Sequence, residues 1–129
     1  MRTLIAVTSP VLLVAGAASC GGEDASADLS PTATEGRQIA SRAGCAACHG
    51  SDGGGGTGPA WTGTLGTDVE LADGTTVTVD EAYLARSIAD PDAQVRDGFA
   101  IRMPENQLSD EEIAKVVAYI VELNAEPGR

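Results

Sequence analysis

The sequence predicts a mainly α domain of three or more helices with one short β-hairpin near residues 69–79. Three observations carry this expectation. Ile113, Val116, Val117, Ile120 and Leu123 recur at helical spacing near the end of the chain, which marks one buried stripe. Two shorter segments, 32–44 and 81–89, are bounded by capping residues and breakers. Between them, Val69 and Leu71 alternate with polar neighbours, Asp73-Gly74 reads as a two-residue turn, and Val77 and Val79 alternate on the return. At 129 residues there is room for a single domain.

The first segment is not expected to belong to that domain. Arg2 is followed by an apolar run, Leu4 to Ala18, broken by Thr8, Ser9 and Pro10. This is the pattern of a secretory signal, and it is too short and interrupted for a good membrane span. Residues 1–19 are therefore read as a signal peptide of lipoprotein type. The run Ala17-Ala18-Ser19-Cys20 looks like a bacterial lipobox, after which Cys20 becomes the lipidated N-terminus. Cleavage after Ala15-Gly16-Ala17 is the alternative, and it leaves Cys20 a free thiol. Residues 20–31 are rich in Gly, Ala, Ser, Asp and Glu, as suits a disordered tether to an acyl anchor. The folded domain is placed at 32–125, with a tail at 126–129.

The first helix is expected from Thr32, with Thr32 or Thr34 as its cap, to Gly44. Gly36 in its interior costs about 1 kcal/mol relative to Ala, so a close helix crossing is its expected reason. Tyr119, near the apolar stripe of the last helix, is the expected neighbour. Directly after Gly44 comes Cys45-Ala46-Ala47-Cys48-His49, or C-x-x-C-H. Two thiols at this spacing can each form a thioether with one vinyl group of a haem, and the next histidine then supplies a nitrogen to its iron. A redox C-x-x-C should lie in a βαβ pattern, which this chain lacks. A structural zinc site needs four ligands, and the chain holds one His and three Cys. One covalent haem c, with its iron, is the expected cofactor.

A glycine-rich loop follows at 51–59. No Gly-Lys-Ser/Thr succeeds it, so a phosphate loop is excluded. Its four consecutive glycines fit either a flexible connector or a backbone that must pass close to a flat ligand. Pro59 fixes the chain direction beside the histidine. After the hairpin, a second helix is capped by Asp80 and runs from Glu81 to Ala89, where Pro91 stops it. Tyr83 on this helix is expected in the core. The loop 96–107 carries Met103-Pro104, and the final helix starts at a capping box, Ser109 with Glu112, and runs to Asn124. Once the leader is removed, Met103 is the only methionine and no second histidine exists. Its place in a loop between helices, with Pro104 restricting its backbone, favours a second iron ligand over core filling.

All nineteen acidic residues follow Cys20, against seven basic ones, a net of −12. Such a surface argues against nucleic acid and suits a partner with a basic patch or an apolar contact. Nothing suggests a small-molecule substrate. The four aromatics, Trp61, Tyr83, Phe99 and Tyr119, leave so small a core that the cofactor is expected to complete it.

With these parts in order, the segment from Thr34 to Leu123 resembles class I c-type cytochromes, through G-C-A-A-C-H-G at 44–50, G-P at 58–59, M-P at 103–104 and A-Y-I-V-E-L at 118–123. More narrowly, residues 71–91 resemble the cytochrome c domain at the C-terminus of subunit II of some haem–copper oxidases. No cupredoxin domain is present, so the chain is not a complete oxidase subunit.

The resemblance implies a small cytochrome c fold around one haem. Cys45 and Cys48 would carry the thioethers, His49 and Met103 would be axial, and the Pro59 carbonyl would accept from the other His49 ring nitrogen. Trp61 stands where an aliphatic residue is usual; it would pack on the macrocycle, hydrogen-bond a propionate or simply fill the core. The implied role is one-electron transfer outside the cytoplasm, between respiratory donor and acceptor proteins, with a cytochrome oxidase as one candidate partner. Free carrier and oxidase or reductase subunit are both open, and a peroxidase or gas-binding protein would need an open iron position.

Overall fold

The computed structural model describes residues 29–125, so the leader, Cys20 and most of the tether lie outside the described residues. The first helix, α1 (Pro31–Arg42), begins earlier than the sequence suggests. Its cap is Ser30 rather than Thr32 or Thr34: the Ser30 hydroxyl accepts from the Ala33 amide at 3.2 Å. Pro31 then occupies the first helical position, where a missing N–H leaves nothing unpaired. A single turn, α2 (Ala46–His49), carries the C-x-x-C-H residues and was not foreseen.

The hairpin forms where expected, with β1 (Asp68–Glu70) antiparallel to β2 (Thr76–Thr78) and Val69 opposite Val77. Its turn is longer than the Asp73-Gly74 pair implies. Leu71 N–H donates to Thr75 O at 2.8 Å and Gly74 N–H to Leu71 O at 2.9 Å, so three residues form the loop. The added residue is Ala72 at the start of the turn, whose N–H donates to Val95 O instead of across the hairpin, while the Asp73 carboxylate accepts from the amide and hydroxyl of Thr75 and holds the second half. The free side of β1 is partly covered by residues 95–97: Ala72 N–H donates to Val95 O and Asp97 N–H to Glu70 O. The start of the methionine loop is thereby tied to the hairpin.

Helix α3 (Glu81–Ala89) starts at Asp80, whose carboxylate accepts from the Tyr83 amide at 2.7 Å. Helix α4 (Asp110–Ala125) opens on the expected reciprocal box: Glu112 N–H donates to Ser109 Oγ, and Ser109 N–H donates to the Glu112 carboxylate. The main packing is α1 against α4, through Ile39 and Ala40 on one helix and Val116, Val117 and Ile120 on the other. Gly36 sits at the crossing as anticipated. A Cβ there would lie 1.9 Å from the Lys115 carbonyl oxygen and 3.0 Å from Tyr119 Cβ. Outside this seam Lys115 pairs with Glu35 and Glu111, and Arg42 with Glu112, exposed contacts each worth about 0–1 kcal/mol. The domain is thus mainly helical with one two-stranded sheet, as the sequence predicts.

Candidate haem site

The turn α2 is held against the end of α1 by the Cys45 amide, which donates to Ala40 O at 3.0 Å. Cys45, Cys48 and His49 all line one cleft, and both cysteines are half-buried free thiols. Burial pushes the Cys45 thiol up from its ordinary pKa, so on its own it stays protonated.

His49 is buried, with Nδ1 2.8 Å from the Pro59 carbonyl oxygen. A carbonyl can only accept, so Nδ1 carries the proton and Nε2 keeps its lone pair for a metal. Burial lowers the imidazole pKa, partly offset by the Pro59 bond, which keeps the ring in the neutral, ligating form. Gly58 presses on the same ring: a Cβ there would stand 3.2 Å from His49 Cε1 and 3.3 Å from Cys48 Cβ.

The glycine run 53–56 is a hydrogen-bonded wrap rather than a loose connector. Gly55 N–H donates to His49 O at 2.8 Å, and Trp61 N–H donates to Gly53 O at 2.8 Å. The close approach is real, but at Gly53 it is to Trp61 and Leu123, and the ligating ring is met at Gly58. The Trp61 indole stacks on the His49 imidazole, with centroids 4.8 Å apart and planes 20° apart, while Tyr119 meets it edge-on at 6.1 Å.

Met103 lines the cleft that holds His49, half-buried, on the loop leading to α4. Two asparagines that the sequence reading passed over position these parts. Asn106 Nδ2 donates to Ile88 O at 2.7 Å and its Oδ1 accepts from the Leu108 amide, fastening the methionine loop to α3. Asn124 Nδ2 donates to Trp61 O at 2.9 Å and to Ile120 O, and its Oδ1 accepts from the Thr64 and Leu65 amides. Neither carries a motif; Asn124 reads only as the end of an apolar stripe.

The donor set fits a covalent haem. Two thiols and a free imidazole nitrogen share a cleft walled by Val79, Leu84 and Ile88. Among the described residues, two buried side-chain oxygens, Ser87 Oγ and Gln94 Oε1, have no protein partner, and both residues line that cleft. Buried oxygens of this kind call for a polar group on whatever fills the space beside them. Residues 33–124 match the cytochrome c family, and the chain belongs to it. Its cofactor is therefore covalently attached haem c with iron, and its chemistry is haem-based electron transfer. A comparison with curated proteins found no match.

Proposed function

We propose that this chain is a one-electron carrier with His49 and Met103 as axial ligands and thioethers at Cys45 and Cys48. The observation that carries the reading is the cleft shared by His49, with Nε2 unprotonated, and Met103 on an anchored loop. Bound haem iron supplies a ferric/ferrous couple, and a thioether ligand favours the ferrous side. The Pro59 carbonyl orients His49, Asn106 holds the methionine loop, and the apolar wall excludes water. His49 and Met103 would together hold the iron and would leave no ligand position for a gas or peroxide, which favours a carrier over a peroxidase.

The carrier works outside the cytoplasm, tethered to the membrane through lipidated Cys20, and passes electrons between respiratory complexes by docking on a basic or apolar patch. Among the described residues no helix is long and apolar enough to cross a membrane. Service as a subunit of a terminal oxidase rests on the likeness of residues 71–91 alone.

Met103→Ala is the test. The variant should lose the long-wavelength ferric band of sulfur-ligated haem, bind CO when reduced, and drop in midpoint potential by on the order of 100 mV. An unchanged potential and spectrum would remove Met103 from the iron.

A further inference from the structure

Trp61 does something that neither the family match nor the C-x-x-C-H motif assigns. The histidine ring has one hydrogen bond, at Nδ1, and its χ2 is a torsion with broad wells. One bond at one ring atom sets the side on which Nδ1 lies but restrains χ2 only within the broad tolerance of hydrogen-bond angles. The space around the ring removes the remaining freedom. Gly58 backbone stands so close to Cε1 and Nδ1 that even a methyl group would crowd them. The indole of Trp61 covers a face of the ring at 4.8 Å, within 20° of parallel.

The indole is itself buried and packed on more than one side. Its residue is 8% exposed, its amide donates to Gly53 O, and its carbonyl accepts from Asn124. Tyr119 presses on it edge-on from α4, and Gly53, at φ +76°, brings its backbone against the Trp61 side chain. A side chain wanted only for volume would not need to lie parallel to a ligand ring, nor to have its backbone bonded at both the amide and the carbonyl.

We infer that Trp61 is a positioning residue, which locks the plane of the His49 imidazole so that the ligand keeps one orientation in both oxidation states. The inference rests on His49 being the proximal ligand, as proposed above. It concerns the ring plane, which the Pro59 bond alone does not set.

The experiment uses the matured holoprotein with Trp61→Phe and Trp61→Leu. Phenylalanine keeps a ring that can stack; leucine does not. The readouts are the ferric low-spin EPR signal and the hyperfine-shifted NMR resonances of the His49 ring, with thermal unfolding measured alongside. Trp61→Leu should show a broadened or split signal from several ring orientations, and Trp61→Phe should return it to a single species. If the leucine protein does not mature, Trp61→Met, which fills the space without a ring, takes its place with the same expectation. A wild-type signal in the ringless variants, accompanied only by a lower melting temperature, would reduce Trp61 to packing and overturn the inference. The sulfur-to-iron band of the unmutated protein separates the two claims: its absence would sink Met103 ligation, while the hyperfine-shifted His49 resonances would still report the ring plane.

Discussion

Replacing Gly36 by alanine tests how closely the terminal helices must approach. Position 36 lies inside α1, where alanine is favoured over glycine by about 1 kcal/mol if nothing else touches it. Here something does. The new methyl carbon would sit 1.9 Å from the Lys115 carbonyl oxygen and 2.5 Å from its carbon, both backbone atoms of α4. Backbone inside a helix cannot rotate away as a side-chain tip can. Restoring ordinary contact at roughly 3.4 Å means parting the helices by about 1.5 Å, and a gap of 0.5–1 Å already forfeits a quarter to a half of each contact along the seam.

That seam carries Ile39, Ala40, Val116 and Ile120, the best-buried part of the core. Overpacking of this kind costs about 1–3 kcal/mol, and a clash with fixed backbone stands at the top of that range, so the net loss should be about 2 kcal/mol after the propensity gain of about 1 kcal/mol. In a domain this small the melting point should fall by about 8–16 °C. Guanidinium unfolding of the holoprotein, followed by far-UV dichroism and by haem absorption, reads this directly. The midpoint should move and the slope should not. Gln38→Ala, exposed on the same helix, should stay within about 0.5 kcal/mol of the unmutated protein. A Gly36→Ala protein as stable as its parent would refute the close crossing.

Three further outcomes are expected. Asn106→Ala leaves the Leu108 amide and Ile88 carbonyl without their partner, so stability should fall by about 1–2 kcal/mol and exogenous imidazole should displace the sixth ligand faster, measured by stopped-flow on ferric protein. Glu122 accepts from both the hydroxyl and the amide of Ser30, and the hydroxyl bond first, then the amide bond, holds its pKa below the ordinary glutamate value. A depressed folded-state pKa stabilises above the unfolded value of about 4.3 and loses that contribution as pH falls through the folded value. Glu122→Gln should therefore flatten the acid limb of the stability–pH curve below about pH 4.3 and matter less for its slope at pH 7. A Cys45→Ala/Cys48→Ala chain, deprived of covalent haem, should lose native-like near-UV dichroism, because so small a core needs the disc to complete it; a native spectrum would show that it does not.

Much of this molecule is written locally. C-x-x-C-H, the Ser109–Glu112 box, the Asp80 cap and the α4 stripe each depend on neighbours within a turn or two of chain. Each therefore stands in the structure where its spacing puts it. Gly36 was legible for a related reason: glycine within a helix is costly enough to need an explanation, and a close crossing is the common one. The structure departs from the local signals where a distant partner takes a donor. Ser30 won the α1 cap from Thr32 and Thr34 because Pro31 suits the first helical position and the Glu122 carboxylate, 92 residues away, takes both Ser30 donors. The hairpin turn grew by one residue at its start because the Ala72 N–H is taken by Val95 O, outside the hairpin.

Cofactor chemistry is legible from residue order alone, since covalent attachment needs only two thiols and an imidazole in set succession along one helical turn. Which way the imidazole faces, what lies on it, and which asparagines hold its surroundings were decided by tertiary structure. Trp61 reaches His49 only after the glycine wrap folds back, and Asn124 reaches Trp61 only across 63 residues of chain. A stack or a clamp between such distant residues has no period and no spacing to read, because its geometry exists only once α1 and α4 have closed on each other.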